Sequence, residues 1–83
     1  MMSELTPLNC LAPGNAGIVR RLLFQGSERR RMLDLGLICD TIVKALRKSP
    51  SGDPVAYEIR RTVIALRSEE AAKILVECMS VGA

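Results

Sequence analysis

The chain has 83 residues, 48% of them hydrophobic and 25% charged, and carries a net charge of +3 at neutral pH. That length holds one domain, which buries only about 60–65% of its unfolded surface, so the core must be small. The chain has no histidine, and its aromatic residues are limited to Phe24 and Tyr57; this excludes imidazole-based catalysis and imidazole metal sites, and it requires a core of Leu, Ile and Val.

The N-terminal MMSELTPL lacks a basic region followed by a long apolar one, so no secretory signal is expected there. No apolar run approaches the roughly 18–20 residues that a membrane-spanning helix requires. Leu5 to Leu11 is a short apolar piece able to enter a strand. Ala12-Pro13-Gly14-Asn15 reads as a type II turn, with glycine supplying the positive φ of the third position. Gly17 then opens the run Ile18 to Phe24. Both of its faces carry apolar residues, so periodicity is ambiguous between strand and helix; the β-branched start and the preceding turn favour strand.

Gln25-Gly26 breaks that run, and Glu28 to Asp40 holds the clearest short helix of the chain. Its expected span is about 27–36, capped by Ser27 and stopped by Gly36, with Met32, Leu33 and Leu35 as its apolar side. A helix of about two turns is not stable alone, so a sheet must lie beneath it.

Thr41 to Lys48 has a β-branched start fading into charge and reads as a strand, and Ser49 to Pro54 is the strongest loop signal. Val55, Tyr57 and Ile59 alternate with Ala56, Glu58 and Arg60 as in a half-buried strand. Arg60-Arg61-Thr62 is a tight connection into Val63-Ile64-Ala65-Leu66, where Ile64 and Leu66 share a face, and the two strands make a hairpin. Ser68-Glu69-Glu70 is a helix start, giving a helical turn near 68–72. From there periodicity alone allows either one helix over 69–79 or a turn followed by a strand over 73–78. Five or six short strands, one short helix and Gly/Pro turns predict a mainly β protein, a small and partly open β-barrel. The single domain is expected over 5–78, with 1–4 and 79–83 as tails.

Several segments together resemble the FeoA family, the small cytosolic proteins of ferrous iron uptake. Leu11-Ala-Pro-Gly14-Asn-Ala-Gly17-Ile-Val19 resembles the family's entry turn, and Arg31-Met-Leu33-Asp-Leu35-Gly36-Leu37 its helix and glycine stop. Gly52-Asp53-Pro54, Tyr57-Glu-Ile59-Arg60, Ile64-Ala-Leu66-Arg67, Glu70-Ala71 and Ile74-Leu-Val76 follow in family order. The resemblance runs from about Leu5 to Cys78. It implies an SH3-like barrel with a helix packed across it, and it decides the tail in favour of a helical turn and a closing strand. It implies ferrous iron transport as the setting, with transition metal ion binding as a property of the family, and, as partner, the FeoB-type ferrous iron transporter, whose cytosolic portion carries a GTP-binding domain. Related SH3-like domains end metal-dependent repressors, so fold alone does not fix the role. Two positions depart from the pattern: Cys39-Asp40 stands where the family commonly has Pro-Gly, and Arg61 where it often has glycine. Arginine is the poorer substitute at positive φ.

The residues offer no catalytic constellation. There is no GxxxxGK[ST] phosphate loop, and Glu69-Glu70, the adjacent acids, suit a helix start. Cys10, Cys39 and Cys78 are odd in number and far apart, so they are expected as small buried or half-buried hydrophobes of a reduced cytosolic protein, with neither metal site nor cofactor. Five arginines (20, 21, 29, 30 and 31) face one acid, Glu28, between Arg20 and Arg31. Arg60, Arg61 and Arg67 form a second basic stretch. Arg29-Arg30-Arg31 oppose the helix dipole where they stand; a solvated helix face would explain them, as would selection for a partner. Arg30 and Asp34 are spaced to pair.

With the resemblance, these charges imply a non-enzymatic accessory protein that docks on an acidic or G-domain surface through Arg29, Arg30, Arg31, Leu37 and Arg60. Leu37 would serve only if exposed; otherwise it belongs to the core or rim. Two aromatics cannot build a proline-rich-peptide groove or a stacking platform for single-stranded nucleic acid. The alternative is a module associated with nucleic acid or with a metal-dependent repressor, binding duplex phosphates through arginine. A thiol or metal-handling protein is a third class. The oligomeric state is left open, a homo-oligomer included.

Overall fold

Six strands make one antiparallel sheet: β1 (Leu5–Pro7), β2 (Ala16–Leu22), β3 (Ile42–Lys48), β4 (Val55–Ile59), β5 (Thr62–Leu66) and β6 (Ile74–Cys78). The spatial order is β1-β6-β2-β3-β4-β5, so β1 and β5 are the two edges. These features come from a computed structural model that describes residues 4–79. The helix α1 spans Gly26–Asp34 and the short α2 Ser68–Ala71, and Leu8–Cys10 make a single 3-10 turn after β1. The sheet is open along one seam, as the partly open barrel requires. The ambiguous tail resolves as a helical turn followed by a strand, and β6 pairs with both β1 and β2.

The alternation written in the sequence becomes the inner face. Val43 and Ala45 on β3, Val55, Tyr57 and Ile59 on β4, and Ile74 and Val76 on β6 are all buried. Period-2 patterning fails in Ile18 to Phe24 because β2 carries a register shift against β6 between Val19 and Arg21. The extra residue resets which face follows, a β-bulge's usual effect. A second shift, between Ala45 and Arg47, sits in β3 against β4. Asn15 N–H closes the entry turn on Ala12 C=O at 3.0 Å, as expected for that segment. Gly17 is required by proximity: a Cβ there would lie 2.9 Å from Val76 Cγ2 and 3.2 Å from Glu77 O.

Helix α1 differs from expectation at its start and agrees at its end. Gln25 in extended conformation is the N-cap, without a side-chain hydrogen bond, and Ser27 lies inside the helix. At the other end Gly36 adopts φ +102°. Its N–H bonds Leu33 C=O at 3.0 Å, and Leu37 N–H bonds Met32 C=O at 3.0 Å. This pair of bonds is the Schellman motif, and its accompanying apolar contact joins the residues three before and two after the cap. Those residues are Met32 and Leu37, both fully buried. The helix therefore grips the core through Met32, with Leu35 packed at its margin, whereas Leu33 is 36% exposed.

The β4–β5 hairpin has a two-residue loop, Arg60-Arg61, between the paired Ile59 and Thr62. Both arginines take positive φ, 51° and 68°. That is the type I′ requirement, normally met by Asn-Gly or Gly-Gly, and such a loop matches the strands' right-handed twist. Asp40, at the other departure from the family pattern, has φ 72°.

Candidate partner-binding surface

The five residues expected to bind a partner are held by different elements. Arg31 is not free: its Nη1 lies 2.7 Å from Glu70 Oε2 on α2. Glu70 also accepts the Arg67 backbone N–H at 3.1 Å, which completes the α2 N-terminus. That backbone bond and, after it, Arg31 hold the Glu70 carboxyl below the usual range. Arg31 thus ties α1 to α2 through this ion pair. Arg29 Nη1 makes a long 3.5 Å contact with Leu22 O at the end of β2. Arg30 is exposed and makes no ion pair among the described residues; the expected Arg30–Asp34 pair is absent there.

Leu37 is fully buried and is removed from the surface set: it belongs to the Schellman contact and the core. Arg60 stands exposed in the hairpin loop beside Arg61, and neither pairs with an acid among the described residues. The three thiols are also corrected. Cys10, Cys39 and Cys78 are all exposed rather than buried. Cys39 Sγ approaches Arg20 O at 3.6 Å. Among the described residues, no three Cys, Asp or Glu side chains come together as a ligand set.

Other residues emerge only in three dimensions. Arg20 sits between two acids, pairing with Asp40 after α1 and with Glu77 on β6, the latter at 3.0 Å. On the outer face of the sheet Ile42 is 51% and Val63 60% exposed, and Ile38 is 41% exposed just before Asp40. Lys44 pairs in register with Glu58, and Glu58 with Val63, so this face mixes apolar and charged groups beside the Arg60-Arg61 loop. Val63 could have been read outward from the sequence, since Ile64 and Leu66 claim the inner face. Further along β3, β4 and β5 lies a shallow groove of about 300 Å³, lined by Arg47, Lys48, Pro50, Pro54, Ala56 and Ala65 among others. Tyr57, buried in the core, has its ionisation pushed up, to about 12, first by burial and then by Asp53.

Comparison with known proteins places this architecture. The family model described as the FeoA domain matches residues 6–78. A Porphyromonas gingivalis protein described as an Fe(2+) transport protein A/Fe(2+) transporter FeoB fusion is 34% identical over 76 residues, which cover 92% of this chain and 9% of that protein. The chain therefore spans only about a tenth of that relative's length. The solved structure of a FeoA-like protein from Clostridium acetobutylicum superposes with a TM-score of 0.87 at 29% identity, covering 99% of this chain and 95% of that one. A zinc-complexed FeoA from Stenotrophomonas maltophilia, described as a procaryotic SH3 domain protein, gives 0.71 at 26% identity over 93% of this chain and 91% of that one. Among the described residues, no helix is long and apolar enough to cross a membrane.

Proposed function

We propose that this chain, which belongs to the FeoA family of ferrous iron transport, is a non-enzymatic accessory protein that docks on the cytosolic portion of a FeoB-type transporter. The observation that carries the reading is the Porphyromonas gingivalis fusion, in which a segment similar to almost the whole of this chain is joined to a FeoB transporter. Fusion keeps two domains at high effective concentration; separate chains that work together must recover that proximity by recognition.

The surface suits such a role. It has cations at Arg30, Arg60 and Arg61 that pair with no acid among the described residues, and exposed apolar residues at Ile42 and Val63. Charge steers encounter with an acidic partner, and apolar contact holds it. Iron is cargo of the transporter in this scheme, and the accessory chain need not bind it.

The test is co-purification of the tagged chain from cells with and without the transporter, paired with ferrous iron uptake after deletion of the chain. Retention of the transporter and reduced uptake are expected. Unchanged uptake with no association would refute the reading.

A further inference from the structure

We propose that the β5 edge, with the Arg60-Arg61 loop at one end, is the docking site for an extended acidic peptide segment that adds to the sheet as a seventh strand. The inference deepens the docking reading and rests on it. Three observations meet here.

First, β5 is an open edge. It ends the strand order, and its backbone makes no hydrogen bond to any described backbone group other than β4's. In a hairpin closed by a two-residue loop the flanking pair is hydrogen-bonded, and hydrogen-bonded pairs alternate thereafter. With Ile59 opposite Thr62 and Tyr57 opposite Ile64, the N–H and C=O groups of Val63 and Ala65 point away from β4. They present a ladder to an incoming strand.

Second, this edge carries none of the usual protection. Thr62-Val63-Ile64-Ala65-Leu66 contains no charge and no proline, and Val63 is 60% exposed. Natural sheets blunt edges with lysine, proline, bulges or shortness. The opposite edge does so here: β1 is three residues long and ends in Pro7.

Third, the site is charged in one sense. Arg60 and Arg61 hold positive φ, a conformation that asparagine and glycine adopt with less strain. A bare turn would not choose two arginines. Their guanidiniums are unpaired among the described residues, as are Arg47 and Lys48 on the groove beside Ala56 and Ala65. Guanidinium forks match carboxylates in planar, two-bond geometry. An acidic extended segment satisfies the edge, the loop and the groove together. A bilayer or a nucleic acid satisfies only the charges, and a second copy of this chain would bring arginine against arginine.

Two variants separate charge from edge. R60N/R61G places the preferred residues in the I′ loop, so it should keep or raise the melting temperature while removing both cations. Ala65→Pro removes an N–H that β4 does not use, a position where an edge strand tolerates proline. Affinity for the transporter's purified cytosolic portion is measured by titration, with amide hydrogen exchange read at Val63 and Ala65. A tenfold or greater loss for each variant, with both amides protected in the wild-type complex, is expected.

Wild-type affinity in both variants, or unprotected amides in the complex, overturns the strand-addition site and leaves the docking reading standing. No complex with the wild type removes both. A wild-type dimer in sedimentation that Ala65→Pro dissociates shows that the edge serves a second copy and overturns the acidic-peptide assignment. Binding to phosphatidylserine vesicles or to duplex DNA that R60N/R61G abolishes and Ala65→Pro leaves intact does the same.

Discussion

Replacing Gly17 with alanine forces a methyl group into the seam between β2 and β6. The added carbon would stand 2.9 Å from Val76 Cγ2, 3.0 Å from Val76 Cβ and 3.2 Å from Glu77 O. Carbon atoms prefer about 3.5–4.0 Å, so the strands must separate or Val76 must turn. Neither is easy. Val76 is fully buried, and Gly17 is paired on both sides, with Cys78 and with Val43. Overpacking of this kind costs about 1–3 kcal/mol, while the stiffer unfolded chain of alanine returns about 0.4–1 kcal/mol. The net loss should be about 1–2 kcal/mol, lowering the melting temperature by about 4–15 °C for a domain of this size. Thermal and urea unfolding of the wild type, Gly17→Ala, Val76→Ala and the double variant check this. Because the truncated Val76 makes room, the double variant should be less destabilised than the sum of the singles by about 1 kcal/mol. Strict additivity, or a Gly17→Ala protein as stable as the wild type, would refute the reasoning.

Met32→Ala should cost about 2–5 kcal/mol, because a fully buried side chain that closes the Schellman contact is lost, whereas Leu33→Ala, at a half-exposed site, should cost under about 1 kcal/mol by chemical denaturation. Asp40→Gly exchanges relief of positive φ for loss of the exposed ion pair with Arg20, so it should be nearly neutral at low salt and stabilising at 1 M salt, where the pair is screened; a loss of stability at high salt would contradict this. Glu70 has a folded pKa below its unfolded value, so its contribution is full above the ordinary carboxylate range and disappears as pH falls through the folded pKa. Urea midpoints across pH 3–7 should therefore show a flatter acid limb in Glu70→Gln. Tyr57 runs the other way: its pKa rises from 10.0 to about 12, so the stability it confers is intact below pH 10 and is lost between those values. As the chain's one tyrosine, it can be followed alone by its alkaline absorbance, and ionisation near pH 10 in the folded protein would contradict the burial argument.

Much of the fold was legible because the signals were local. The Pro13-Gly14 turn, the Gly36 stop, the alternation from Val55 to Ile59 and the acidic start of α2 are each set by residues close in sequence. The run from Ile18 to Phe24 was ambiguous for a physical reason, since the bulge near Arg20 breaks the period on which the reading depends. The helix start was misplaced because Ser27 is a good cap by type, yet the chain enters through Gln25 and the positive φ of Gly26. The candidate surface was harder. Which arginines are spoken for depends on acids distant in the chain: Glu70 claims Arg31, and Asp40 with Glu77 claims Arg20. The cysteines were placed inside on their usual preference for burial, but Cys78 ends β6 and Cys39 lies in the exposed turn after the helix. The open edge was invisible to pattern reading, because edge status follows from strand order and not from any one strand's sequence.

That strand order also bears on how the chain is made. The strands β2 to β5 form a meander of neighbours, each pairing with the next in sequence. β6, the last of the six to leave the ribosome, inserts between β1 and β2, the first two. Until residues 74–78 are available, β1 has no partner at all and one side of β2 stays bare. Completing the sheet therefore depends on pairings far apart in the chain, 5–7 with 75–77 and 17–22 with 74–78, the non-local contacts that slow folding.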